Sequence, residues 1–123
     1  MKFTSTDKAP AALGPYSQAV SVNGLLFTSG QIALDPATGE IVGSDVQAQA
    51  EQVCKNLAAV LEANGLTFTD AVKTTCFLAD MGDFAAFNAV YGEYFTTKPA
   101  RSCVGGLSLP KGALVEVEVI AEV

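Results

Sequence analysis

The 123-residue chain contains no histidine and no tryptophan, and only one arginine, Arg101. Without histidine, Ser-His and Cys-His nucleophile pairs are excluded. The three cysteines (Cys54, Cys76 and Cys103) are scattered, with no Cys-x-x-Cys spacing, so no zinc or other metal site is expected. Their odd number and wide separation also argue against a disulfide framework. Proton transfer is left to Glu, Asp, Tyr, Lys, Cys or water. Charged residues are scarce, at 16%, and the net charge of −6 repels phosphate backbones, so nucleic acid is not an expected partner. Gly105-Gly106 followed by Lys111 lacks the GxxxxGK spacing of a phosphate loop, and no cofactor is expected. No run approaches the ~20 apolar residues of a membrane span. Residues 1–7 have neither the apolar core of a signal peptide nor the arginines of a transit peptide, which makes the cytoplasm the expected location.

What is present is apolar. Half of the residues are hydrophobic, in a length suited to one domain over residues 1–123. A body this small leaves some of that apolar area for partner subunits. Residues 2–6 read as a short strand, and Gly14-Pro15 as a turn opening a second, from Tyr16 to Val22. Asn23-Gly24 between apolar runs is a hairpin signal, because both residues tolerate positive φ. Asp35-Pro36-Ala37-Thr38-Gly39 is a further turn. Ser44 and Gln47 have capping-box spacing ahead of a helix whose Val46, Ala50, Val53, Leu57 and Leu61 share one face. Asn64-Gly65 would stop it. A strand follows with Val72, Thr74, Cys76 and Leu78 on one side. A second helix from near Asp83 would bury Phe84, Phe87, Tyr91 and Tyr94. Two strands, about 100–107 and 114–123, close the chain around Leu109-Pro110-Lys111-Gly112.

The order β-β-β-α-β-α-β-β predicts an α+β domain: a mixed sheet with both helices on one face. In the last strand Val115, Val117, Val119, Ala121 and Val123 alternate with Glu116, Glu118, Ile120 and Glu122. The second set faces water or another subunit.

Arg101 lies in Pro99-Ala100-Arg101-Ser102-Cys103-Val104. In a strand, Arg101 and Cys103 project from one side. The guanidinium is a planar fork suited to a carboxylate ligand; the plainer alternative is a surface ion pair with Glu116 or Glu118. Cys103 is a candidate for a lowered thiol pKa beside Arg101, although without a histidine base it would shape a site rather than attack. Cys54 and Cys76 read as core. Glu116 and Glu118 are a carboxylate pair at i, i+2, able to raise one pKa and serve as general acid/base, or are simply solvated. Ser29-Gly30-Gln31 ends a strand with a glycine that permits close approach of a ligand.

Together these runs resemble the Rid family, the reactive intermediate deaminases or YjgF-like proteins. The matching stretches are Ala9-Pro10-Ala11-Ala12-Leu13-Gly14-Pro15-Tyr16-Ser17-Gln18, Thr28-Ser29-Gly30-Gln31-Ile32 and Asp83-Phe84-Ala85-Ala86-Phe87-Asn88-Ala89-Val90-Tyr91. Pro99–Val104 follows, with Leu109-Pro110 and Val115–Ala121. The resemblance implies a chorismate-mutase-like fold, a homotrimer with clefts between subunits, and hydrolysis of 2-aminoacrylate and related enamines or imines to 2-keto acids and ammonia. It implies Arg101 as the carboxylate-binding residue, the Cys103 backbone as a substrate contact and Glu116 as the residue that holds the water. Tyr16, Ser29, Gly30 and Asn88 match further cleft positions. It also leaves open a regulatory protein that binds small keto acids in the same clefts. Two departures, the short connection from Phe95 to Pro99 and the Gly105-Gly106 pair, imply a change in cleft size.

Overall fold

The structure is a computed structural model that describes residues 1–123. Eight regular elements follow one another: β1 (Lys2–Thr4), β2 (Ala19–Val22), β3 (Leu25–Thr28), α1 (Val46–Glu62), β4 (Ala71–Leu78), α2 (Phe84–Tyr94), β5 (Ala100–Val104) and β6 (Val115–Glu122). The strands form one six-stranded sheet in the order β1-β2-β3-β6-β4-β5. Every pairing is antiparallel except β4–β5, which α2 joins as a parallel crossover. The sheet is therefore mixed, as expected. Both helices pack on the face that carries Leu26, Cys76, Leu78, Val115, Val117, Val119 and Ala121, all buried.

Local chemistry explains the boundaries. Asn23 (φ 51) and Gly24 (φ 77) both take positive φ, so the β2–β3 hairpin turns where the sequence indicates. The start of α1 differs from expectation. Asp45, not Ser44, is the cap: its carboxylate accepts from the Ala48 N–H at 2.8 Å. Gln47 donates instead to the Ala86 carbonyl of α2, so no capping box with Ser44 forms. After the helix ends at Glu62, Gly65 takes positive φ (72) and the Leu66 N–H reaches back to Leu61 O.

Three other differences arise at a bulge and at two strand ends. In β4, register slips between Ala71 and Lys73 against β6, so Val72 is the extra residue of a bulge. Ala71 takes the inward position, while Val72 is 47% exposed rather than aligned with Thr74, Cys76 and Leu78. β6 ends at Glu122, and Val123 lies outside the core. The strand expected over 100–107 stops at Val104, because Gly105 packs against Met81 and Gly106 turns with φ 73.

The second strand starts at Ala19 rather than Tyr16. Before it, the buried Gln18 side chain accepts from the Thr6 N–H and donates to the carbonyls of Thr6 and Pro10. It thus pins the N-terminal segment beside β2. On α1, buried Asn56 donates to the carbonyls of Ile32 and Leu34. Gln31 exchanges backbone hydrogen bonds with Val117 of β6. The chain after β3 is therefore fixed from both sides, and Gly30 is held next to β6.

Candidate active site

Arg101 sits on β5, one of the two edge strands, opposite Thr74 of β4 and on the helix-covered face. Phe84, Asn88 and Tyr91 recur at i, i+4 and i+7 on α2, so they line one stripe of that helix. All three engage Arg101. Its guanidinium carbon lies 4.7 Å from the Tyr91 ring centroid and 5.4 Å from that of Phe84. Its Nη1 donates to Asn88 Oδ1 at 2.7 Å. Tyr91 is fixed in turn by a 2.8 Å hydroxyl contact with buried Thr74 and by stacking on Phe95. The aromatic faces hold the guanidinium plane, while most of its five N–H donors remain for a ligand. Arg101, Asn88 and Tyr91 border a cavity of about 360 Å³ whose lining also includes the polar Thr96 and Lys98.

Cys103 shares that face, in register with buried Cys76. The expectation of a lowered thiol pKa fails. Burial raises it and outweighs the lowering by Arg101. Cys103 is thus a thiol, not a thiolate, and whatever it contributes is shape and backbone. Cys54 and Cys76 are core residues with pKa values pushed up to about 12 by burial.

Glu116 and Glu118 point to the opposite face of the sheet, out of phase with buried Val115, Val117 and Val119. Glu116 lies against Gly30. A Cβ at residue 30 would fall 2.8 Å from the Glu116 Cδ and closer still to one carboxylate oxygen. The glycine therefore leaves the space that the carboxylate occupies, and a side chain there would displace it. Burial, and secondarily the charge of Glu118, raises the Glu116 pKa above the ordinary carboxylate value. Tyr16, Gly30, Gln31, Lys111 and Glu116 border a second cavity of about 400 Å³. Ser29 borders neither cavity: its hydroxyl donates to the Ser17 carbonyl at 2.6 Å and fixes the chain just after Tyr16.

The expected site residues thus fall into two groups. Arg101, Asn88 and Cys103 are on the helix face, whereas Glu116, Gly30, Tyr16 and Ser29 gather around the other. An ion pair of Arg101 with Glu116 or Glu118 within one chain is excluded by this placement.

Comparison with known proteins decides the relationship. The family model described as Endoribonuclease L-PSP matches residues 6–123. A mouse 2-iminobutanoate/2-iminopropanoate deaminase is 49% identical, covering 98% of this chain and 90% of that protein. A putative regulator, AldR, of Lactococcus lactis is 53% identical over 100% of this chain and 98% of its own. The crystal structure of a Rid-family protein of unknown function from Yersinia pestis superposes with a TM-score of 0.96 at 48% identity, covering 99% of this chain and 98% of that one. This chain belongs to the Rid family.

Some parts of this Rid site escape sequence reasoning. The spacing of Phe84, Asn88 and Tyr91 was readable as a helix stripe, yet nothing in it says that the stripe serves Arg101 as well as the core. Lys98 and Thr96 lie in the connection to β5 and carry no periodic signal, but both line the Arg101 cavity. Lys111, whose ammonium donates to the Gly39 carbonyl at 3.0 Å, borders the Glu116 cavity of this Rid chain without belonging to any phosphate loop.

Proposed function

We propose that the chain is a hydrolytic deaminase that converts small enamine or imine acids such as 2-aminoacrylate into 2-keto acids and ammonia. The observation that carries this reading is Arg101: a lone guanidinium, immobilised by Asn88 and two aromatic rings, with its remaining donors at a cavity. Such a fork suits the carboxylate that every substrate of this class bears. The enamine tautomerises to an imine, and water adds to the imine carbon. The resulting aminol expels ammonia and leaves the ketone.

An imine already reacts with water, so the protein needs to orient and shuttle a proton rather than supply a strong nucleophile. Proton shuttling of this kind contributes about 10²–10⁴-fold. Glu116 is suited to it: its raised pKa lies nearer to working pH, favouring removal of a proton from water and its return to the departing nitrogen. No histidine or metal is required in this scheme.

Arg101 and Glu116 lie on opposite faces of one sheet, so the reading also calls for a second copy of the chain. We assign the complete site to clefts of a homotrimer, in which Arg101 of one subunit meets Glu116 of another. The face without helices carries exposed Phe3, Phe27 and Val104, apolar area suited to such an assembly. Light scattering should give three chain masses, and a monomer would remove the shared site.

The activity is tested by following ammonia and keto acid from 2-aminoacrylate generated in situ. Release no faster than the uncatalysed background would favour the second reading, a regulatory protein binding small keto acids through Arg101. The similarity to a putative regulator supports that alternative. A nuclease reading, suggested by the family description, fits poorly with a chain of net charge −6 and no histidine.

A further inference from the structure

Lys98 precedes Pro99 and has φ 56. L side chains rarely adopt that left-handed conformation, and a following proline disfavours helical backbone further. The Lys98 N–H donates to Phe95 O at 3.2 Å, closing a tight turn after α2. The turn places Lys98 in the wall of the Arg101 cavity. The chain as a whole has thirteen acids against seven bases, yet what it contributes to this cavity is two cations and no carboxylate of its own, Glu116 entering from the neighbouring subunit in the proposed assembly. The cavity measures about 360 Å³ on one chain.

We infer that Lys98 determines specificity: it receives a second anionic group from a substrate whose α-carboxylate is held by Arg101. The preferred substrates are then imines of acidic amino acids, dicarboxylates, over neutral imines of the same length. The inference rests on Arg101 being the carboxylate clamp. A different role for Lys98 is to offset the negative end of α2, whose last carbonyls lie beside the same turn. The two roles predict different measurements.

The test compares imines generated in situ by an amino-acid oxidase from glutamate and from norvaline, its neutral five-carbon counterpart. Calorimetric binding of 2-ketoglutarate and 2-ketopentanoate runs in parallel. Wild type should favour the dicarboxylate about tenfold in kcat/KM, a difference expressed in KM. Lys98→Asn removes the charge while keeping a residue that tolerates left-handed backbone, and it should abolish the preference in turnover and in binding. Lys98→Arg should retain it, and added salt should compress it. If Lys98→Asn lowers Tm but leaves the dicarboxylate preference intact, Lys98 serves the helix end and the inference is overturned. A wild type that shows no dicarboxylate preference in either assay overturns it as well. If no imine is consumed above background while Lys98-dependent binding of 2-ketoglutarate persists, the deaminase reading fails and the role of Lys98 stands.

Discussion

The two halves of the proposed site are prepared in different ways. Around Arg101 the chain supplies everything that fixes the guanidinium: an acceptor oxygen from Asn88, ring faces from Phe84 and Tyr91, and Thr74 behind Tyr91. Around Glu116 it supplies mainly an absence, the missing side chain of Gly30, into which the carboxylate settles. The first half is fixed by position alone, since a guanidinium needs no tuning. The second is penalised in its charged form by burial beside Glu118. A clamp gains from being rigid and always ionised, whereas a proton carrier gains from indecision between its two forms.

This contrast can be broken most sharply at Glu116. Glu116→Gln keeps the shape but cannot accept a proton, and kcat should fall about 10²-fold while keto-acid affinity through Arg101 persists. Glu118→Gln should be milder in turnover. If Glu118→Gln abolishes turnover in an intact oligomer while Glu116→Gln spares it, the roles of the two carboxylates are exchanged.

Mixing subunits addresses whether the halves meet across an interface. Arg101→Ala and Glu116→Gln chains, each inactive alone, are unfolded and refolded together in equal amounts. About a quarter of the interfaces in random closed rings would then join an intact arginine to an intact glutamate. Recovery of about that fraction of wild-type activity is expected. No recovery, in oligomers shown by mass spectrometry to be mixed, would mean that the two groups do not share a site between subunits.

Arg101→Lys probes the clamp itself. Lysine keeps the charge but loses the planar fork, and kcat/KM should drop at least about tenfold, or ~1.4 kcal/mol. Wild-type kinetics in this variant would reduce Arg101 to a structural residue packed under α2.

The smallest effect concerns stability. Because folding raises the Glu116 pKa, the native state holds more protons than the unfolded chain in the window above the ordinary carboxylate value of 4.5. Stability from this group therefore declines as pH rises through that window. Below it, both states are protonated and the penalty vanishes. The Tm of Glu116→Gln minus that of wild type should be near zero at the acid end and grow positive toward neutral pH. A difference that shrinks with rising pH would contradict the burial of Glu116.

Much of the architecture was legible because it is periodic. Alternation marked Val115, Val117 and Val119 as inward, and the 3.6-residue repeat marked Val46, Ala50, Val53, Leu57 and Leu61; all are buried. Where the period is locally broken, the sequence misleads. Val72 looks like the partner of Thr74, but a bulge transfers its inward place to Ala71, and only the pairing with β6 reveals it. The Asp45 cap was missed because Ser44 has the better textual spacing, and the competition is decided by the Gln47 contact with α2, 39 positions along. The candidate site was legible as a set of residues through family resemblance. Its division between two faces was implicit in the alternation of β5 and β6, yet it required knowing which strand lies at the edge. The direction of the Cys103 pKa depended on how deeply β5 sits under α2, which no spacing encodes.

The sheet order has one more consequence, for how this chain avoids self-templating growth. Its two rims are β1 and β5, of three and five residues. Unpaired rims invite other chains to add strands indefinitely. Here one rim is very short, and the other is flanked by Pro99, which has no N–H to offer, and by the turn at Gly105-Gly106. A strand arriving at β5 would find a ladder that ends within a few rungs, with a charged Arg101 near its start. Exposed Phe3 and Val104 do sit on these rims, but the ladders beside them are too short to template a fibre.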